Sequence, residues 1–351
     1  MKLGTRLRSA GMRVMSSESF LELRRRKSRF FDKKRIETPA VHYFHQVDDP
    51  YSFLAVQKLA ALQARYNIHF ISHLVSAPSA EFKGDATRYD ACSIADASSI
   101  GAFFGVLPPF AGTVPDQRQV DHANQELVAA LGSTDPSAFA ISAIAVGENI
   151  WRRHASDDSG IQSSDPVNLA AGDALQAELG HYFGATFYFE GEWFWGLDRL
   201  HLLEQRLIDA GYSSSPLSAM CAPLPTANYT FGKETAAVTL EYFPSLRSPY
   251  TAIGHSRVAD LVNRSGVSLK LRPVMPMMMR GIPAPRAKQV YIMMDAGREA
   301  RFHDIPFGRF VDPFGDPVLK AFSLLPGAVA QGKGMDFVGS YLSACFAEGI
   351  D

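Results

Sequence analysis

One segment of this chain is written twice. Residues 43–52, Tyr-Phe-His-Gln-Val-Asp-Asp-Pro-Tyr-Ser, return as residues 242–251, Tyr-Phe-Pro-Ser-Leu-Arg-Ser-Pro-Tyr-Thr, at a constant offset of 199 residues. The register continues without a gap: Leu62 falls on Leu261, Ile68 on Val267, Phe70 on Leu269 and Val75 on Val274. A repeat of this period is domain-sized, so it points to two related units and excludes a short-repeat solenoid. Each copy reads as a strand, an X-Pro-Tyr-Ser/Thr turn, an amphipathic helix and a second strand. In the first copy Asp49 suits the N-cap and Pro50 the first helical position. Phe53, Val56, Leu59, Ala60 and Leu62 then follow at helical spacing.

The rest of the chain supplies boundaries. With 351 residues, two domains are expected. Residues 1–40 form a basic arm with twelve Lys/Arg and four Asp/Glu, while the whole chain has a formal net charge of −1. That balance selects neither nucleic acid nor another acidic partner. The arm lacks the apolar centre of a secretory signal. It reads as an amphipathic segment that packs on the first domain or lies on its partner, with an Arg-rich transit peptide as the alternative. No stretch has the ~18 apolar residues of a membrane span, and a cytoplasmic location is expected. The three cysteines, Cys92, Cys221 and Cys345, are far apart and form no CxxC. They argue against a disulfide framework or a cysteine zinc site.

The first domain is placed at 41–212. After its second strand come a helical block, a hairpin of Thr186–Phe189 and Trp193–Trp195, and a closing helix from Asp198 to Ile208. Residues 213–236, rich in Pro, Ser and Ala, form the linker. The second domain, 237–351, repeats the opening elements and carries helices over 288–301 and 318–346. It has no counterpart of the hairpin, so a truncated second copy is expected.

Strand, X-Pro-Tyr-Ser/Thr turn, helix, strand, helical insertion, hairpin and helix resemble the DsbA-like branch of the thioredoxin superfamily. Ser248-Pro249-Tyr250-Thr251 resembles the Ser-Pro-Tyr-Ser turn of kappa-class glutathione transferases and 2-hydroxychromene-2-carboxylate isomerases. Phe194-Trp195-Gly196-Leu197-Asp198-Arg199-Leu200 is similar to their Phe-Trp-Gly-Gln-Asp-Arg-Leu signature. Arg272-Pro273-Val274 and the segment from Pro285 to Tyr291 are similar to further family segments. The likeness covers most of residues 41–351. It implies an α/β protein of two tandem thioredoxin-like domains, each with a helical insertion, the second incomplete. It also implies glutathione as cofactor, a small aromatic or unsaturated substrate, and a tendency to dimerise. Ser248 would stabilise the glutathione thiolate, with Pro249, Tyr250 and Lys288 contributing to its binding site. The thiolate would either add reversibly, as in an isomerase, or stay attached to the electrophile, as in a transferase.

A serine at a helix N-terminus offers a hydroxyl donor beside unpaired backbone N–H groups. Both lower a thiol pKa from its usual value of about 8.5. Helix capping alone would also select Ser-Pro, and a solvated lysine early in a helix would account for Lys288. The first copy has Asp49 at the serine position. A carboxylate there repels a thiolate by roughly 4 kcal/mol at 4 Å and an effective dielectric of about 20. The helix end returns only about 0.3–2 kcal/mol. Ala185 stands where the family places a cis-proline facing the turn, and a trans bond is expected. Ser52 is expected to satisfy a local carbonyl. Asp198 reads as a cap, in a region that the family uses near glutathione. Asp49, Ser52, Ala185 and Asp198 thus form a degenerate counterpart of the second site. His42, His45, Asp48 and Asp49 do not make a metal site, because His42 and His45 point to opposite strand faces. A non-catalytic pair of thioredoxin-like domains acting as a binding scaffold is the alternative to an enzyme.

Overall fold

The computed structural model describes residues 3–35, 39–109, 113–152, 166–213, 220–226 and 237–351. Its elements, in chain order, are α1 (Leu3–Ser16), α2 (Glu18–Arg35), β1 (Ala40–His45), α3 (Pro50–Arg65), β2 (His69–Leu74), α4 (Ala80–Lys83), α5 (Ala86–Gly101), α6 (Gln117–Leu131), α7 (Ala138–Arg152) and α8 (Ala170–Leu179). They continue with β3 (Thr186–Phe189), β4 (Glu192–Trp195), α9 (Leu200–Asp209), β5 (Thr239–Tyr242), α10 (Pro249–Ser265), β6 (Ser268–Leu271), α11 (Arg286–Phe302), α12 (Asp316–Ala330) and α13 (Gly334–Ser343). The architecture is mixed α/β with helix in excess. No described helix is long and apolar enough to cross a membrane.

By contact the chain forms two compact units, and their boundary falls within α2. The central unit is Arg24–Thr226; the bipartite unit joins Met1–Leu23 to Ala227–Asp351. The basic arm, read from sequence as one piece, is therefore shared between them.

The central unit holds a four-stranded mixed sheet in the order β2-β1-β3-β4. Strands β1 and β2 are parallel, while β3 runs antiparallel to β1 and to β4. The parallel pair needs a crossover connection, and α3 supplies it. The hairpin turns on Glu190 and Gly191 at φ 44° and 86°, the left-handed pair that a tight two-residue loop demands. Tyr43, Phe53, Leu59, Trp151, Phe187 and Phe194 are buried in one core between the sheet and its helices. A side chain of Leu or Phe size contributes about 1.5–3 kcal/mol when fully buried, so this cluster holds α3 and α7 to the sheet. Part of α2 is fastened to the hairpin by ion pairs. The buried Glu192 carboxylate accepts from Arg25 Nε at 2.6 Å and Arg206 Nε at 3.0 Å.

The bipartite unit has a parallel pair, β5 and β6. Thr239 and Glu241 are exposed, while Leu240 and Tyr242 are half-buried, the alternation of a strand covered on one face. The unit's core is helical, around Leu246, Met293, Phe310, Val318, Val338 and Phe346.

The 199-residue register extends into three dimensions. Ala40 pairs with His69 in one unit and Thr239 with Ser268 in the other, and the remaining rungs of β5 and β6 keep the same offset. The amides of Val75 and Val274 donate to the carbonyls of His45 and Pro244. Helix α11 begins one residue past the shifted start of α5, so the correspondence reaches from β1 to the end of that helix.

Candidate functional site

Ser248 is the N-cap of α10, with extended backbone at φ −94° and ψ 123°. Its Oγ accepts from the Thr251 amide at 3.2 Å. The sequence accounts for this locally: serine caps, and Pro249 enters the first turn without an amide to satisfy. Among the described residues no protein acceptor takes the Ser248 hydroxyl proton. The serine is half-buried and opens into a cleft of about 330 Å³, within the size range of small-molecule sites. Pro249 and Tyr250 also line it, with Arg247, Arg280, Met275, Met277, Met278 and Met293, and among the described residues no carboxylate is on its wall.

Two buried acids hold two of the polar groups of this wall, Arg247 and Tyr250. Asp312 accepts from Arg247 Nε at 2.6 Å and from Arg247 Nη2 at 3.2 Å. Burial alone would raise the Asp312 carboxyl, but bonds from Arg247 and Arg8 outweigh it and hold the group below its ordinary value. Tyr250 donates its hydroxyl to buried Asp295 at 2.8 Å. Lys288 stands in the first turn of α11 and is not on the cleft wall, where its neighbour Gln289 is found. Burial lowers the Lys288 ammonium pKa.

The equivalent place in the central unit has the same backbone and different chemistry. Asp49 caps α3, its carboxylate accepting from the amides of Tyr51 and Ser52. The Gln46 amide donates to Ser52 Oγ at 3.2 Å, as the Ser245 amide does to Thr251 Oγ1 at 3.3 Å. Tyr51 donates to Asp96 at 2.8 Å, matching Tyr250 and Asp295 at the same offset. The cleft beside Asp49 measures only about 30 Å³, room for a water or two. Trp151, Tyr89 and Phe183 line it, and the last two rings stack at 5.7 Å. Its polar wall carries Asp48, Asp49 and Asp90, with Lys83. The first three correspond by register to Arg247, Ser248 and Gln289.

Ser52 departs from the sequence expectation. Instead of meeting a local carbonyl, its hydroxyl donates to Asp49 Oδ2 at 2.7 Å and accepts from the Ala185 amide at 2.7 Å. The chain at 184–185 comes so close that a Cβ on Gly184 would lie 2.6 Å from Ser52 Oγ and 2.6 Å from Gln46 Cβ. Ala185 itself is buried with φ 55°, the left-handed region that costs a residue with a Cβ. The described residues contain no cis peptide bond. Asp198 does not cap α9, which has no side-chain cap; it pairs with Arg199 at 2.7 Å and lies off the Asp49 cleft. Burial raises the Asp49 carboxyl from 3.8 to about 6, against the bonds from Ser52 and Tyr51, with Asp48 adding to the rise.

The cysteines stand away from both clefts. Burial raises Cys221 and Cys345 to about 11, so neither supplies a thiolate near neutrality. His42 Nδ1 and His73 Nε2 share a hydrogen bond at 2.9 Å, a pairing that sequence reasoning missed because it spans two strands. Among the described residues no three His, Cys, Asp or Glu side chains are placed to share a metal.

Sequence reasoning also missed Asp295 and Asp312. The repeat could have found Asp295, since Asp96 and Asp295 keep the offset of 199. Asp312 carries no such signal; it lies 65 residues beyond Arg247. No protein-family model, curated protein or solved structure matches the chain.

Proposed function

We propose that the Ser248 cleft binds glutathione as its thiolate and presents it to a small aromatic or unsaturated electrophile, as an isomerase or a transferase of the kind the sequence resembles. The chain is then a tandem of thioredoxin-like domains with one working site. The order of strand, helix, strand, helical block, hairpin and helix in the central unit supports that assignment, as does the shared register of the bipartite unit.

One observation carries the functional reading. Ser248 Oγ accepts the α10 cap bond, keeps its own proton, and faces a cleft walled by arginine and methionine. A thiolate sulfur at that proton receives a charge-assisted hydrogen bond, worth about 1.5–3 kcal/mol. The helix end adds about 0.3–2 kcal/mol. Arg280 gives the tripeptide carboxylates a cationic partner, while Arg247 is already engaged by Asp312. The sulfur then attacks an electrophilic carbon. In the transferase case the new carbon–sulfur bond persists and the leaving group or a proton completes the balance. In the isomerase case the bond breaks again after rotation, and glutathione leaves unchanged.

The central unit is proposed to be a non-catalytic partner domain. Asp48, Asp49 and Asp90 outnumber Lys83 on its wall, which disfavours an anion, and its aromatic side chains occupy the space.

Calorimetric titration of reduced glutathione into the full-length protein and the Ser248→Ala variant tests the reading. The expected result is saturable binding, weakened at least tenfold in the variant. Absence of binding at millimolar glutathione would leave the scaffold alternative.

A further inference from the structure

We propose that α1 is a working wall of the Ser248 cleft, and that Met12 and Met15 contact the apolar part of the second reactant. The thiolate reading supplies the chemistry on which this rests; the wall adds a determinant of which electrophile fits.

Met12 and Met15 line the same cleft as Ser248, Arg247 and Met277. They bring its methionines to six, against eleven in the whole chain. Methionine is unbranched and polarisable, and it moulds to irregular apolar ligands.

The docking of α1 is specific. General apolar packing would bury Leu3, Leu7 and Val14, which share one face at helical spacing. Those three are 74%, 67% and 54% exposed. The docked face is instead the one with Arg8, Ser9, Met12 and Ser16. Arg8 Nε pairs with Asp312 at 2.5 Å, and the Asp312 amide donates to Ser9 Oγ at 3.0 Å. Arg13 donates twice to the Phe310 carbonyl, and Arg301 donates to the Ser16 carbonyl at 2.9 Å. Where α1 crosses α11, a Cβ on Gly297 would lie 2.7 Å from the Ser16 carbonyl oxygen, so only glycine admits the helix this closely.

Asp312 joins α1 to the cleft. One buried carboxylate holds Arg8 of α1 and Arg247, the neighbour of Ser248. The placement of α1 and of the cleft's guanidinium therefore depends on the same group. In the central unit Phe183 and Trp151 of that unit itself line the small cleft beside Asp49.

The test uses full-length protein labelled at the methionine methyls, with Met12 and Met15 assigned from Met12→Leu and Met15→Leu. The probe is 8-anilinonaphthalene-1-sulfonate, an apolar anion suited to methionines and arginines. Its titration is expected to shift the Met12, Met15, Met277 and Met278 methyls on one saturation curve. The double variant Met12→Ser with Met15→Ser is expected to raise the dye's Kd about tenfold. Movement of Met277 and Met278 with Met12 and Met15 unmoved overturns the proposal. So does a dye that moves none of these methyls, or a double variant whose Kd stays within twofold. A parallel titration with glutathione separates the two readings: dye response without glutathione response keeps the wall and removes the thiolate.

Discussion

Residues 49 and 248 share a backbone position and a capping role, and differ in what they offer an anion. Ser248 caps with a lone pair and has a proton left for the cleft. Asp49 caps with a charge and takes the Ser52 proton as well. That charge is confined: burial raises the carboxyl to about 6, and the rise from its ordinary value is worth roughly 3 kcal/mol. Below about pH 4 the group is protonated folded or unfolded, and its favourable contribution is complete. As pH rises through 6 the folded chain must ionise a buried acid, and that contribution is lost. Buried His45, lowered to about 3, acts in the opposite direction, so a single stability profile mixes the two. The difference between wild type and Asp49→Asn isolates the aspartate. Urea unfolding from pH 4 to 8 is expected to show the Asp49→Asn variant gaining on wild type as pH rises, and a flat difference would refute the buried charge. Gly184 makes a second residue-level prediction. Gly184→Ala forces a Cβ against Ser52 and Gln46 and should cost about 1–3 kcal/mol in the same measurement.

At the scale of elements, substitutions at the start of α10 can separate capping from the proposed thiolate binding. Ser248→Ala removes both the cap acceptor and the hydroxyl, and should cost about 1 kcal/mol of stability. Ser248→Gly keeps a tolerated cap residue and should cost only a few tenths of a kcal/mol. Both should lose glutathione affinity alike, measured by calorimetry beside denaturant unfolding. Affinity that followed stability would make Ser248 a cap and nothing more. The elements legible in the sequence were those written by local rules. The Pro50 and Pro249 helix starts and the hairpin between Thr186 and Trp195 depend on residues a few positions apart. What the sequence could not reveal depends on chain return. The α1 face that docks mixes Arg8, Ser9 and Ser16 with Met12, and its partners lie at the far end of the chain. Asp312 meets Arg8 across 304 residues, and no local pattern carries that pairing.

At the scale of the whole molecule, one backbone plan has been put to two uses. The repeat was legible from strand to second strand, and the structure carries it through α5 and α11 with the Tyr51–Asp96 and Tyr250–Asp295 bonds kept at the same offset. The difference in cleft size was not legible. Phe183 lies far from Asp49 in sequence and reaches it only through the sheet. One glutathione per chain, not two, is therefore expected. Asp49→Ser should leave that number unchanged, because removing the charge does not remove Phe183, Tyr89 and Trp151. Calorimetric stoichiometry decides both, and a second site appearing in Asp49→Ser would show that charge alone had closed the first cleft.

The central claim is that Ser248 holds a sulfur anion, and the ultraviolet thiolate absorbance of bound glutathione, followed against pH, tests it most directly. In the wild-type complex the thiol should titrate about one to two pH units below its usual value near 8.5. In Ser248→Gly the midpoint should return toward that value. A bound thiol that titrates at its ordinary pKa in the wild type, or one whose depressed pKa survives in Ser248→Gly, would contradict the account.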